Sequence, residues 1–450
     1  GGGGTGQSAE IWTQAWTVML SQMLASVVGL VDIAMVGRLG AAAQAAVGYA
    51  AQLFFLAQSA LFALGFACVA LMARAIGAGD AARARRAFAA SMTLAVAVAA
   101  LLAAAVLAAP ERLLALLAAR PEVIARCVPY LQLVMASSLL LALTLTVENA
   151  LRADRDTRTP MRVAIAVTAA KIGLNVLLIF GVAGFPRLEL VGAGLATLLA
   201  QLLGVALLGG VVLRRRPGSP TALRPRDFRG LGRPLPALVR IALPGVGERV
   251  VMNLAMLSYF AFLGSYGTVA AAAYTIGIRI LSFSWIPGIG YSQAVATLVG
   301  QALGARDPDA ARLAGRRAAR LAIATAIGMG LLGGLLREPL ARLFTVDPET
   351  IGALGPFMLC LAIAQPAMQL HFTLAGMHRG AGDTTTPLLA ALLGNWAVRV
   401  PLAWALAHPL GGPLVSLWVV LILDHVTRAV WLGVAFRRER WLAARGLGTG

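Results

Sequence analysis

Apolar runs of 20 or more residues recur from one end of this chain to the other. No other feature limits its fold as strongly. At about 1.5 Å of rise per residue, roughly 20 apolar residues cross the hydrocarbon core of a bilayer as a helix. Breaking the runs at glycine, proline and charge gives twelve segments, near 11–37, 44–75, 87–109, 122–150, 161–184, 190–213, 236–263, 268–300, 317–336, 350–377, 387–408 and 413–436. Several exceed the length needed and are expected to tilt or project beyond the bilayer. Charged residues make up only 13% of the chain, about half the roughly 25% of soluble domains. A water-soluble fold is excluded. The expected class is an all-α polytopic membrane protein with twelve transmembrane helices.

The net charge of +19 would suggest nucleic acid in a soluble chain. Here the arginines sit in short clusters between apolar runs, as in cytoplasmic loops, and a nucleic-acid partner is not expected. Loops after even-numbered segments, with the tail, hold 25 arginines; loops after odd-numbered segments hold six. This bias places both termini and the central loop in the cytoplasm of a cell-membrane protein. Residues 1–10 lack a basic n-region, so they read as a disordered start rather than a cleavable signal. Cys68, Cys127 and Cys360 lie in apolar runs with no metal or disulfide spacing and read as packing residues.

The Arg- and Pro-rich stretch 214–235 is the linker-like segment. It divides the chain into a six-helix lobe over 11–213 and another over 236–436, with a tail at 437–450. The halves are related at an offset of 227. Gly37 and Gly40 fall on Gly264 and Gly267, Gly77 on Gly304, Asp80 on Asp307 and Arg85 on Arg312. Arg152, Asp156, Thr157, Thr159 and Pro160 fall on Arg379, Asp383, Thr384, Thr386 and Pro387. Six is even, so the copies are parallel and related by a pseudo-twofold axis along the membrane normal. Two bundles that can rock about a shared cavity suit alternating access better than a fixed channel. The chain has no GxxxxGK[ST], which argues against ATP-driven pumping.

Three motifs, in order, carry a family resemblance. Val31-Asp32-Ile33-Ala34-Met35-Val36-Gly37-Arg38-Leu39-Gly40 resembles the end of helix 1 in the multidrug and toxic compound extrusion (MATE) family. Val299-Gly300-Gln301-Ala302-Leu303-Gly304-Ala305-Arg306-Asp307 is similar to its helix 8 exit, and His378-Arg379-Gly380-Ala381-Gly382-Asp383-Thr384 to its helix 10–11 loop. The resemblance spans nearly the whole chain. It implies export of amphipathic, mostly cationic compounds in exchange for inward H+ or Na+.

An ionisable group inside the membrane is costly and is a functional candidate by default. Asp32 lies about five residues from the outer end of segment 1, roughly 8 Å along the axis. Glu148 is near the cytoplasmic end of segment 4, Lys171 in segment 5 with Asn175 one turn on, and Thr197 in segment 6. The resemblance carries the helix 1 aspartate over to Asp32 and the helix 5 polar pair to Lys171 and Asn175. It places Glu148 and Thr197 in the same site. Lys171 is the only lysine among 38 basic residues. Buried arginine holds its proton, whereas buried lysine can lose one. Lys171 is therefore expected to pair with Asp32 or Glu148, in the place where sodium-coupled relatives would hold Na+. That favours H+ as the coupling ion, with no cofactor or metal. Otherwise Lys171 forms a static structural pair, or its amine snorkels to an interface.

The second lobe reads differently. Met252 and Pro366 stand where some relatives place carboxylates, and Glu248 is expected to be neutralised locally beside Arg249. Arg279, His371, Arg399 and Asp424, His425 and Arg428 read as interhelical ties. Pro244, Pro287 and Gly288 are candidate hinges, and Thr17 replaces proline at the repeat-equivalent of Pro244. A substrate cavity could draw on Met19, Met23, Met35, Tyr49, Phe54, Phe55, Met256, Tyr259, Phe260, Phe283 and Trp285, since Met and aromatic groups adapt to varied cations. The expected partners are amphipathic small molecules and membrane lipids, with the chain working as a monomer. An alternative is a flippase for lipid-linked or other large amphiphiles. An intramembrane enzyme is not expected, because HExxH and GxSxG are missing.

Overall fold

The computed structural model of the chain describes residues 3–117, 119–182 and 184–443. These hold twelve helices long and apolar enough to cross a membrane. They are α1 Gly3–Gly37, α2 Ala41–Gly77, α3 Ala81–Leu107, α4 Pro121–Ala153, α5 Arg158–Phe180 and α6 Glu189–Arg214 in the first half. The second half has α7 Pro234–Leu263, α8 Thr268–Gly304, α9 Pro308–Leu335, α10 Pro348–Gly380, α11 Thr385–Ala407 and α12 Leu414–Arg437. Short helices, Pro110–Leu116 and Arg337–Phe344, follow α3 and α9 at matching places in the repeat.

The duplicated residues build duplicated turns. Asp80 and Asp307 cap α3 and α9, each accepting a backbone N–H at 2.8 Å, from Arg83 and Ala310. Asp156 and Asp383 each accept the backbone N–H and hydroxyl of a threonine three residues on, Thr159 and Thr386. Left-handed residues recur in register. Gly40 matches Gly267, Gly79 matches Arg306 and Arg155 matches Gly382. In the last two pairs glycine in one copy is arginine in the other, so the turn dictates the backbone and the side chain accepts the strain.

The chain divides into two compact units, residues 20–242 and residues 1–19 with 243–450. The expected boundaries were the ends of the linker. The structure instead divides within α1 and within α7. In the second unit Ile11 and Ala15 of α1 are buried in one core with Tyr291, Ala294, Val295 and Leu298 of α8. The expected disordered start is therefore helical from Gly3 onward. Gly290 admits α1 closely: a Cβ there would lie 2.6 Å from Met19 Cγ.

The linker-like stretch does not hang free either. Thr221, Ala222 and Asp227 are buried, and a 3-10 turn at Pro225–Phe228 packs on the first unit. Arg85 on α3 holds it, 3.5 Å from Asp227 and donating to the Ser219 carbonyl at 3.3 Å. Past α12, Trp441 is buried against Phe436 and donates to its carbonyl. Residues 444–450 of the expected tail lie outside the described residues.

Candidate functional site

Lys171 and Asn175 lie one turn apart on α5, which puts both side chains on one face toward Asp32 of α1. Lys171 Nζ is 2.5 Å from Asp32 Oδ2, and Asn175 Nδ2 donates to Asp32 Oδ1 at 2.5 Å. Both carboxylate oxygens are thus engaged. The Asp32 and Lys171 side chains keep 28% and 17% of their exposure, so the pair is partly buried. Asn175 is fully buried, and its Oδ1 is a buried acceptor with no hydrogen-bond partner. The site therefore holds one amine, one carboxylate and one unused acceptor. Tyr130 of α4 is close enough to feel the charge of Asp32, a neighbour that nothing in its own segment signals. A tyrosine in an apolar run reads as lipid-facing or core.

Two residues expected at this site do not join it. Glu148 accepts from Arg152 one turn along α4 at 2.9 Å, instead of reaching Lys171. Thr197 donates its hydroxyl to the Ala193 carbonyl of its own helix at 3.0 Å. A hydroxyl in an apolar helix finds the nearest free carbonyl lone pair, four residues back.

Several cavity candidates turn out to be packing. Tyr259 is fully buried, donates to the Leu417 carbonyl at 2.7 Å and lies in an aromatic cluster with Tyr274, Phe357 and Trp418. Met19 fills the space beside Gly290. Met35, Tyr49 and Phe54 pack on the core of the first unit. Met23 and Phe260 remain exposed, while Phe55, Met256, Phe283 and Trp285 are half-buried. Trp285 joins the two parts of α8, Thr268–Ser284 and Ile286–Gly304, with Pro287 at the start of the second. The interruption falls two residues before Pro287, the candidate hinge. Gly288 serves close approach: a Cβ there would lie 2.7 Å from Gln369 Oε1. Pro244 sits inside continuous α7. Its counterpart Thr17 is buried and donates to the Gln14 carbonyl at 2.8 Å.

The second half carries a buried polar group of its own. Arg428 binds Asp424 through two nitrogens, Nε at 2.7 Å and Nη2. Arg399 lies 3.8 Å from the same carboxylate, with its guanidinium 5.0 Å from the centre of the Tyr259 ring. His371 and His425 share a hydrogen bond at 3.0 Å. Arg399 and His371 tie α11 and α10 to α12 as expected, whereas the Arg428–Asp424 pair lies within α12 and two further expectations fail. Arg279 is exposed and makes no side-chain hydrogen bond or ion pair among the described residues. Glu248 takes a hydrogen bond from Arg379 of α10 at 2.6 Å, beyond its sequence neighbour Arg249.

The repeat explains where this group lies. At the 227 offset Asp32 falls on Tyr259. Residues Leu392–Arg399 form π-helical turns, the mark of one extra residue in a helix. Past that insertion the offset becomes 228, and Lys171 falls on Arg399.

Comparison with known proteins agrees with this architecture. The MatE family model matches residues 18–177 and again 244–405, one copy per half. A probable multidrug resistance protein NorM of Bradyrhizobium diazoefficiens is 30% identical, with 96% of this chain and 92% of that one covered. One of Thermotoga maritima is 27% identical over the same shares. Among solved structures, the Vibrio cholerae MATE transporter VcmN in the bent form superposes with a TM-score of 0.89 at 22% identity, covering 98% of each chain. An outward-facing multidrug resistance MATE family transporter gives 0.90 at 21%, covering 97% of this chain and 96% of that one. A twelve-helix membrane protein with a duplicated half, matched twice by the family's model, belongs to the multidrug and toxic compound extrusion family of efflux transporters.

Proposed function

We propose that this chain is a proton-driven antiporter that exports amphipathic, mostly cationic compounds by alternating access, with both termini in the cytoplasm. The observation that carries the reading is the Lys171–Asp32–Asn175 triad. With Asp32 ionised, its oxygens hold an ammonium and an amide N–H. Protonation cancels the attraction to Lys171 and turns one carboxylate oxygen into a donor. Turning over the Asn175 amide presents an oxygen to that new O–H, so the neutral site keeps a hydrogen bond while the ion pair is lost. The released ammonium repels a cationic compound bound nearby. A positive charge beside the carboxylate also disfavours Na+ there, by more than salt can screen at hydrogen-bonding distance. The relatives' names, probable multidrug resistance proteins, support a broad substrate class, and the arginine bias of the loops supports the orientation.

The test is uptake of a fluorescent organic cation into proteoliposomes under an imposed pH gradient or an imposed Na+ gradient. The pH gradient should drive it in the wild type and fail in Asp32→Asn. Transport driven by Na+ alone, or full proton-driven transport in Lys171→Ala, overturns the reading.

A further inference from the structure

At the ends of α9, α10 and α12 that carry arginine-rich loops lies a groove of about 410 Å³. Its floor is apolar, formed by Leu370, Leu374 and Phe436. Arg316 and Arg320, one turn apart on α9, and Arg437 at the end of α12 line its wall. All three are exposed and make no hydrogen bond or ion pair among the described residues. The fourth arginine, Arg312, is occupied: it holds Glu439 at 2.7 and 2.8 Å and Asp309 at 2.6 Å. Glu439 is the one carboxylate on the rim, and the Arg312 hydrogen bonds keep it below the usual carboxylate range.

The repeat supplies an internal control. Leu143 and Val147 of the first half, at the 227 offset from Leu370 and Leu374, and Leu208, at the 228 offset from Phe436, line a groove of about 610 Å³. There Arg85, the counterpart of Arg312, straps the chain leaving α6 through Asp227, as Arg312 straps the chain leaving α12 through Glu439. The groove and its strap were duplicated; the arginine wall was not. Arg224 alone lines the first-half groove. Loop orientation by itself needs positive charge near a helix end, but not three uncommitted guanidinium groups around an apolar floor.

We propose that the second-half groove binds the phosphate headgroup of an anionic phospholipid, held by Arg316, Arg320 and Arg437, with an acyl chain lying along Leu370, Leu374 and Phe436. Basic pockets between membrane helices at the lipid surface suit such headgroups. Guanidinium forks match phosphate oxygens.

The test is equilibrium binding of fluorescent phosphatidylglycerol to the purified full chain in detergent, competed by unlabelled phosphatidylglycerol, phosphatidylcholine or inorganic phosphate. Phosphatidylglycerol should compete and the other two should not. The triple variant Arg316→Gln, Arg320→Gln, Arg437→Gln should bind about a hundredfold more weakly, and Arg224→Gln should bind like the wild type. Should the triple glutamine variant misfold, the triple lysine variant, expected to retain most binding, and Leu374→Trp, expected to exclude the acyl chain, replace it. Undiminished binding in the glutamine variant or in Leu374→Trp overturns the proposal. Equal competition by phosphatidylcholine also overturns it, and equal competition by inorganic phosphate shows a free-anion site instead.

Discussion

At matching positions of the two repeats, Asp32 meets Lys171 in the first half and Tyr259 meets Arg399 in the second. The carboxylate of the second half lies on α12 instead, at Asp424. That placement changes the group's surroundings. Asp424 is fully buried and gripped by both nitrogens of Arg428. Asp32 keeps partial exposure and has a single amine and an amide for partners. One carboxylate is shared by two guanidinium groups; the other faces a single amine and an amide. The lesson is that duplication copies positions, while the helix that supplies the charge sets its partners and its burial.

This contrast can be broken by experiment. The largest effect expected is in Asp32→Asn, which should abolish gradient-driven export, by about a hundredfold or more in initial rate, with little change in thermal unfolding. Asp424→Asn should do the reverse. It strands Arg428 and Arg399 without their carboxylate, at a cost of about 3–5 kcal/mol of stability, read as a lowered unfolding temperature in detergent. If Asp424→Asn folds normally and loses only coupling, the division of labour is wrong. Tyr259→Phe sharpens the comparison. It removes the bond to the Leu417 carbonyl but leaves the ring under Arg399, so about 1 kcal/mol should be lost with transport retained.

A smaller effect separates the duplicated turns. Burial alone would raise Asp383, but hydrogen bonds from His378 and Thr386 hold its carboxyl below the usual range. A carboxyl lowered on folding stabilises the fold above its unfolded value, near pH 4, and that contribution disappears as pH falls through the folded value. Asp383→Asn should therefore flatten the acid limb of a stability–pH curve measured in detergent. The smallest effect belongs to the left-handed turns. Arg306→Gly and Arg155→Gly remove about 1 kcal/mol of backbone strain each but add unfolded-chain entropy, so stability should shift by less than about 1 kcal/mol. A loss above 2 kcal/mol would show that the arginine side chains themselves hold the turns.

The twelve helices and their duplication were legible because bilayer thickness and turn chemistry leave direct marks: length, apolarity, and glycine, aspartate and proline at fixed offsets. The Asp32–Lys171 pairing was legible because one lysine in an apolar run needs a partner. Glu148 misled because a carboxylate four residues before an arginine satisfies itself locally, and an apolar segment does not advertise that choice. The π-helical turns of α11 were invisible because one inserted residue leaves the hydropathy unchanged. Without them the correspondence of Lys171 with Arg399 is lost. Met19 and Tyr259 suit a substrate wall as well as a core, and only packing decided between them.

The polypeptide passes from one compact unit to the other twice, at 19–20 and at 242–243, and on both occasions in mid-helix. A flexible tether would let two bodies drift independently; a helical rod transmits twist and bend. Thr17 and Pro244 lie close to those two crossings, where a diverted carbonyl and a missing N–H soften the backbone.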